Sequence, residues 1–246
     1  HAFNTPEREV YWRDETVRYF HEFATKELGV KDEEIIYKEG VWSGGGNAGP
    51  DLETIVRGLE VATLVFMKFK VVNGEFQELP IRTVDTGYGI ERFTWLSQGA
   101  VSAFHAVYGP LLEKAADLAG VELPDPRELV GPAKYSSLMI VRKGVRKAES
   151  RARVAKALGM SVEELEALLA PLEALFAILD HTKCLIIMLA DGVVPSNVRE
   201  GYLARLLLRR TYRLLRSLGA EEALLDIVEG QVKYWKRDYE RIAESE

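Results

Sequence analysis

Asp85, Glu91 and Arg92 fall close together, with two glycines between them, in Val84-Asp85-Thr86-Gly87-Tyr88-Gly89-Ile90-Glu91-Arg92. A glycine corner with a carboxylate before it and a planar cation after it could hold an anion such as a phosphate, with a negative charge set beside it. Ile81 to Val84 is a β-branched run after Pro80 and reads as a strand, with Asp85 expected at its end. Glu91 to Gln98 has the mixed pattern of a helix. A strand that turns through glycines into a helix gathers free N–H groups and the positive helix end in one place. Such a place suits an anion, often a phosphate. A bare G-x-G is equally a tight strand–helix corner, so the neighbouring residues must decide.

Other residues could add chemistry. Glu60 is an acid within an apolar strand pattern, Leu59 to Val72, and needs a partner. That partner is Arg57, Lys68 or Arg82, or else a hard cation such as Mg²⁺. Val41 to Pro50 holds Trp42, four glycines and a proline, and reads as a loop whose backbone can approach a ligand. Far along the chain, Arg205, Arg209, Arg213 and Arg216 recur at steps of four, four and three, which forms one helical stripe. Aligned arginines without matching acids repel one another, so either water or an anionic partner must face them. Asn197, just before them, can both donate and accept hydrogen bonds. Asp180-His181 has no second ligand in sight and reads as structural, and Cys184 as a buried thiol.

The first stretch resembles the third signature motif of class II aminoacyl-tRNA synthetases, G-x-G-x-x-E-R, and in its longer form that of alanyl-tRNA synthetases. The resemblance implies that Arg92 lies against the adenine and phosphates of ATP, with Gly87, Gly89 and Glu91 around the nucleotide. It implies that Asp85 holds the amino group of alanine beside Gly87. Trp42 and its glycines are similar to the archaeal form of the family's tryptophan–glycine segment, so Trp42 and Val65 would shape the alanine pocket. Gly58-Leu59-Glu60-Val61 and Leu64-Val65-Phe66-Met67 also match, which implies Glu60, and Glu53 as a second acid, at the Mg²⁺ that bridges ATP phosphates. Ala62-Thr63 departs from the bacterial pattern. Asp191 to Asn197, with Gly201-Tyr202 and the arginine helix, resembles the family's tRNA-recognition region. There Asn197 would help read a G·U wobble pair, and Arg205, Arg209, Arg213 and Arg216 would contact acceptor-stem phosphates.

The elements that must position these residues follow from pattern. A helix is expected from a Thr5 N-cap through Pro6 to about Leu28, and a strand over Glu34 to Lys38. Asp51 to Val56 and Leu59 to Val72 read as strands joined by Arg57-Gly58, with Asn73-Gly74 as a hairpin turn. In the longer strand, Leu59, Val61, Thr63, Val65 and Met67 would share one face, and Glu60, Ala62, Leu64 and Phe66 the other. This predicts an antiparallel sheet of at least four strands, which argues against a Rossmann fold. After Gly99 nearly everything reads as helix, with breaks at Gly131-Pro132, at Gly144 and before His181, and a capping-box start at Ser161.

The expected fold class is therefore α+β: a partial class II catalytic sheet over 1–109, then an all-α tRNA-recognition domain over 110–246. With 246 residues, 47% apolar and 28% charged, the chain is globular. A single cysteine excludes an intrachain disulfide or a cysteine metal cluster. No apolar run reaches membrane-spanning length, and no signal peptide is visible, in keeping with a cytoplasmic protein. A net charge of −6 hides basic stretches at Arg142 to Lys156 and Arg205 to Arg216. The resemblance implies an archaeal-type alanine–tRNA ligase fragment. Its cofactors would be ATP and Mg²⁺, and its partners alanine and the tRNA(Ala) acceptor stem. The rest of its own polypeptide would supply the first two class II motifs upstream, and further recognition and editing domains. The alternatives are a helical RNA-binding module with a non-catalytic sheet, against which the intact Asp85 and Arg92 argue, and a ligase for another small amino acid.

Overall fold

In the computed structural model, residues 1–139 and 147–244 are described. The basic residues expected near Arg142 and the break at Gly144 lie outside them. The chain forms two compact units, His1–Gly99 and Ala100–Glu246.

The first unit is an α+β layer. Its antiparallel sheet has the order β1-β5-β4-β3-β2, with β1 at Ala2–Asn4, β2 at Ile35–Gly44, β3 at Asn47–Val56, β4 at Leu59–Val72 and β5 at Glu75–Tyr88. The three hairpins turn on Gly45-Gly46, Arg57-Gly58 and Asn73-Gly74, each with positive φ at both positions, the geometry that matches strand twist. Helices α1 (Arg13–Glu22), which continues as a π-helical turn over Phe23–Glu27, and α2 (Ile90–Gln98) complete the unit. Phe20, Ala24, Val56, Val61, Ala62, Leu64, Phe66 and Val84 form its core, with Phe93 and Leu96 packed against it.

Several expectations change here. The first helix begins at Arg13, not at Thr5. Thr5 instead closes a turn by accepting from Arg8 N–H at 3.2 Å. Asn4 then ties the next segment down, accepting from Val10 N–H at 2.7 Å and donating to Tyr11 O at 2.9 Å. The glycine-rich segment around Trp42 is no loop but the tip of the β2–β3 hairpin, with Trp42 opposite Gly49. Pro50 is accommodated because the β3–β4 register shifts between Ala48 and Asp51. Asp85 is not at a strand end: β5 runs on to Tyr88 and pairs Asp85 with Val65.

The β4 faces also differ. Thr54 pairs with Ala62 but Ile55 with Glu60, so Val61 is an extra residue, a β-bulge. The bulge reverses the alternation. Leu59 and Val61 face the core before it, and Ala62, Leu64 and Phe66 face it afterwards. Glu60 is thereby carried to the face of Thr63 and Val65.

The second unit is all helix among its described residues: α3 (Ala103–Tyr108), α4 (Pro110–Ala119), α5 (Pro126–Lys134), α6 (Lys147–Leu158), α7 (Val162–Ala190), α8 (Arg199–Leu218), α9 (Leu224–Trp235) and α10 (Glu240–Glu244). Tyr108 packs with Leu111, Leu112, Leu175, Ile178, Leu179 and Leu215 in its main core. The compact division thus comes at Gly99, because α3 belongs to the helical packing. The capping box forms: Glu164 N–H donates to Ser161 Oγ at 3.1 Å and Ser161 N–H to Glu164 Oε2 at 2.7 Å. α7 does not break at Asp180 but runs for 29 residues, and its Cys184 is exposed rather than buried. Gly131-Pro132 does not interrupt α5 either. No helix among the described residues is long and apolar enough to cross a membrane.

Candidate functional site

Cross-strand partners in an antiparallel sheet project to the same side. The register therefore sets Asp51, Val65 and Asp85 in one row across β3, β4 and β5, and Glu53, Thr63 and Gly87 in the next. These rows lie on the face away from the core. Asp85 is about a third exposed, and His1 Nδ1 lies 2.8 Å from its carboxylate. Beside it, Val65 is buried, so a carboxylate adjoins a small apolar wall. Gly87 has open space where a side chain would project.

The second row leads to the cation. Thr63 Oγ1 donates to Glu60 Oε1 at 2.7 Å. Arg92 Nη1 donates to the Glu60 main-chain carbonyl at 3.0 Å and lies 3.3 Å from its carboxylate. The expected partners of Glu60 are engaged elsewhere or apart from it: Arg57 pairs with Glu34 at 2.8 Å and Lys68 with Glu78 at 3.2 Å. Gly89 leaves room for the Arg92 stem, since a Cβ there would come within 2.9 Å of Arg92 Cδ. The Gly89 N–H donates to Val61 O at 2.9 Å, anchoring the corner to the bulge. Glu91 is exposed in the first turn of α2, where a negative charge suits the helix end.

Glu53, opposite Thr63, accepts from Lys38 Nζ at 2.7 Å, and this bond raises the Lys38 pKa. Glu53 and Glu60 thus flank Thr63 on one face, each already facing a cation. Both are hard oxygen donors, the chemistry that Mg²⁺ takes. Among the described residues no group of three or more acids, histidines or cysteines forms a metal site of protein ligands alone. Trp42 is half-buried on β2, its ring lying over Gly44, two strands away from β4.

Two residues of this face escaped the sequence reading. Thr63 had no assigned role, yet it holds the Glu60 carboxylate and stands opposite Glu53 across the β3–β4 pair. Asp51 read only as a strand start. Its Oδ1 is buried without a hydrogen-bond partner, and burial, then the nearby Glu53 charge, raises its pKa. The signal was an acid within a strand that carries apolar Leu52, Ile55 and Val56.

In the helical unit, α8 buries Gly201, Ala204, Thr211 and Leu215 and turns Arg205, Arg209, Arg213 and Arg216 outward. Tyr202 and Tyr212 stand exposed on the same side. Arg205 Nη1 donates to Asn197 Oδ1, which joins the loop to the stripe. Arg209, Arg213 and Arg216 have no carboxylate partner among the described residues. Asp180 accepts from Tyr108 Oη at 3.1 Å, a packing role. His181 Nδ1 is buried and unpartnered, and burial, then Arg210, lowers the His181 pKa.

Comparison with known proteins identifies the family. The family model described as tRNA synthetases class II (A) matches residues 1–246. The chain is 53% identical over 236 residues to an alanine–tRNA ligase of Korarchaeum cryptofilum, covering 96% of this chain and 26% of that protein. It is 49% identical over 243 residues to that of Methanothermobacter thermautotrophicus, covering 98% and 27%. It is 50% identical over 240 residues to that of Hyperthermus butylicus, covering 97% and 26%. The chain thus spans about a quarter of the length of these curated relatives. The antiparallel sheet, the motif on β5 and α2, and the match along the whole sequence lead to one conclusion: the chain belongs to the class II (A) tRNA synthetase family.

Proposed function

We propose that this chain is the part of an alanine–tRNA ligase that binds alanine and ATP and meets the tRNA acceptor stem. The first unit is the later part of the catalytic domain and the second begins the tRNA-recognition domain. One observation carries this reading. Asp85 stands opposite Val65 on the open sheet face, with Gly87 opposite Thr63 beside them. A carboxylate next to a small apolar wall, with open space alongside, fits an ammonium group and a methyl group on one carbon.

The reaction has two steps. An oxygen of the alanine carboxylate attacks the α-phosphorus of ATP, and pyrophosphate leaves. A terminal ribose hydroxyl of tRNA then attacks the activated carbonyl, and AMP leaves. Asp85 accepts from the alanine ammonium, Val65 and Trp42 limit the side-chain space, and Gly87 and Gly89 admit the nucleotide to the backbone. Arg92, supported by Glu60, offers its fork to the adenine and phosphates, with Glu91 at the same corner. Glu60 and Glu53 would hold Mg²⁺, which when bound neutralises phosphate charge. The protein's contribution is mainly positioning and charge stabilisation. Arg205, Arg209, Arg213 and Arg216 face acceptor-stem phosphates, and Asn197 a base edge in the shallow RNA minor groove. The remaining class II motifs and any editing domain belong to the rest of the polypeptide, and the setting is the cytoplasm.

A thermal-shift titration with a non-hydrolysable alanyl-adenylate analogue tests this reading, since a ligand of the folded state raises its stability. The alanyl form raises Tm more than the seryl or glycyl form. A larger shift from the seryl or glycyl form would point to another small amino acid, and no shift from any of them to a non-catalytic RNA-binding module.

A further inference from the structure

Asn197 is held from two directions. Its side-chain carbonyl accepts from Arg205 Nη1. Arginine has no acceptor, so only the oxygen end of the amide can face it, and the NH₂ group must turn away. Its backbone is fixed by its neighbours: Ser196 N–H donates to Gly201 O at 2.9 Å. Ser196 Oγ donates to Val198 O at 3.1 Å and accepts from Val198 N–H at 3.3 Å. A Cβ at Gly201 would meet Ser196 Oγ at 2.3 Å and Val194 O at 2.5 Å, so the loop closes only over a glycine. Among the stripe residues Arg205 is bonded in this way, whereas Arg209, Arg213 and Arg216 point outward without a carboxylate partner among the described residues.

We infer that Arg205 is a positioning residue for base reading: it engages Asn197 Oδ1 and so makes Asn197 a donor only. This rests on the tRNA-face reading above and adds to it. A free amide could rotate to meet either kind of base edge. In the minor groove, purine N3, pyrimidine O2 and the ribose 2′-hydroxyl accept, whereas the guanine amino group donates. Asn197 held by Arg205 answers the acceptors alone. A wobble pair displaces the pyrimidine O2 relative to a Watson–Crick pair, so a fixed donor distinguishes the two by position.

The test measures binding of two acceptor-stem RNA duplexes that differ only in carrying G·U or G·C at the recognised pair. The wild-type chain prefers the G·U duplex. Arg205→Ala lowers that preference by roughly tenfold, in line with the discrimination carried by a well-placed base contact. Arg205→Gln, whose amide NH₂ can still donate to Asn197 Oδ1, keeps the preference while losing affinity for both duplexes. Arg209→Gln serves as the phosphate-contact control and weakens both equally. In the RNA-free protein, the Asn197 Nδ2 proton resonances move in Arg205→Ala and not in Arg209→Gln. Retained preference in Arg205→Ala, or unmoved Asn197 resonances, overturns the positioning role alone. A wild-type chain that binds neither duplex overturns the tRNA-face reading, and this inference with it.

Discussion

Arg92 grips Glu60 twice, donating to its main-chain carbonyl at 3.0 Å and lying 3.3 Å from its carboxylate. The Val61 bulge makes this possible by carrying Glu60 out of the core face. The side chains are 46% and 38% exposed, so the pair itself adds about 1 kcal/mol or less to stability. Its value is to aim the guanidinium. Arg92→Ala should therefore leave Tm nearly unchanged while weakening an ATP analogue by roughly tenfold or more, as expected for lost charge-assisted bonds. Calorimetric titration checks the affinity. Arg92→Lys should not restore it, because a point charge cannot replace the planar fork.

Two glycines on the sheet should behave in opposite ways. A Cβ on Gly49 would meet Phe66 O at 1.9 Å, against backbone that cannot move aside. Gly49→Ala should destabilise the first unit by about 3 kcal/mol or more in urea unfolding. At Gly87 the space a methyl group would take has no neighbouring atom within 4 Å. Gly87→Ala should keep or slightly raise stability, by about 0.5–1 kcal/mol, yet lower affinity for the adenylate analogue. Parallel unfolding and binding titrations separate the two effects.

Arg151 tests the helical unit. It is 3% exposed on α6 and bonds Glu166 at 3.1 Å and also Glu173, both on α7. Both acids keep partial access to water, at 38% and 45% exposure. Arg151→Ala should thus cost about 2–3 kcal/mol, below the loss expected for a wholly buried pair. A double-mutant cycle with Glu166→Gln should return a coupling above that of a surface pair.

Burial holds the pKa of both His105 and His181 below the usual 6.5, with Arg210 adding to the effect at His181. The unfolded chain therefore binds more protons than the folded one just below pH 6.5. Stability is fully present above that pH and falls as the pH drops toward the lowered folded values. Urea midpoints of the helical unit should decline from pH 7 to pH 5 at about the slope these two groups supply. His181→Gln should flatten the decline, and an unchanged slope would contradict the assignment.

Salt dependence separates the stripe from the base reader. Each of Arg209→Gln, Arg213→Gln and Arg216→Gln should reduce the slope of log K against log salt by about 0.7–0.9 for acceptor-stem RNA. Asn197→Ala should leave that slope alone and lower only the preference between duplexes.

Much of this was legible in the sequence because pattern and chemistry coincide. The arginine stripe obeys helical spacing, and Asn73-Gly74 and Ser161-x-x-Glu164 carry their own local geometry. What could not be read depended on register. The bulge at Val61 reverses the faces of β4, and only the pairing of Ile55 with Glu60 reveals it. The glycines beside Trp42 read as a loop because they are rich in turn formers, but partner strands impose a hairpin. The false helix start at Thr5 has the same origin: local capping signals lost to Asn4 and to pairing of β1 with β5. Thr63 went unassigned because the bulge alone brings it to the face of Glu60, and Asp51 because its burial depends on its neighbours across the sheet.

The most direct test concerns Asp85. Bind the chain to a non-hydrolysable alanyl-adenylate analogue and to its propionyl counterpart, which lacks only the ammonium group, and repeat both with Asp85→Asn. If Asp85 opposite Val65 holds the alanine ammonium, the wild type prefers the alanyl form by roughly tenfold or more, and the variant binds both alike. A variant that keeps the wild-type preference would contradict the account, because the ammonium would then be held by some other group.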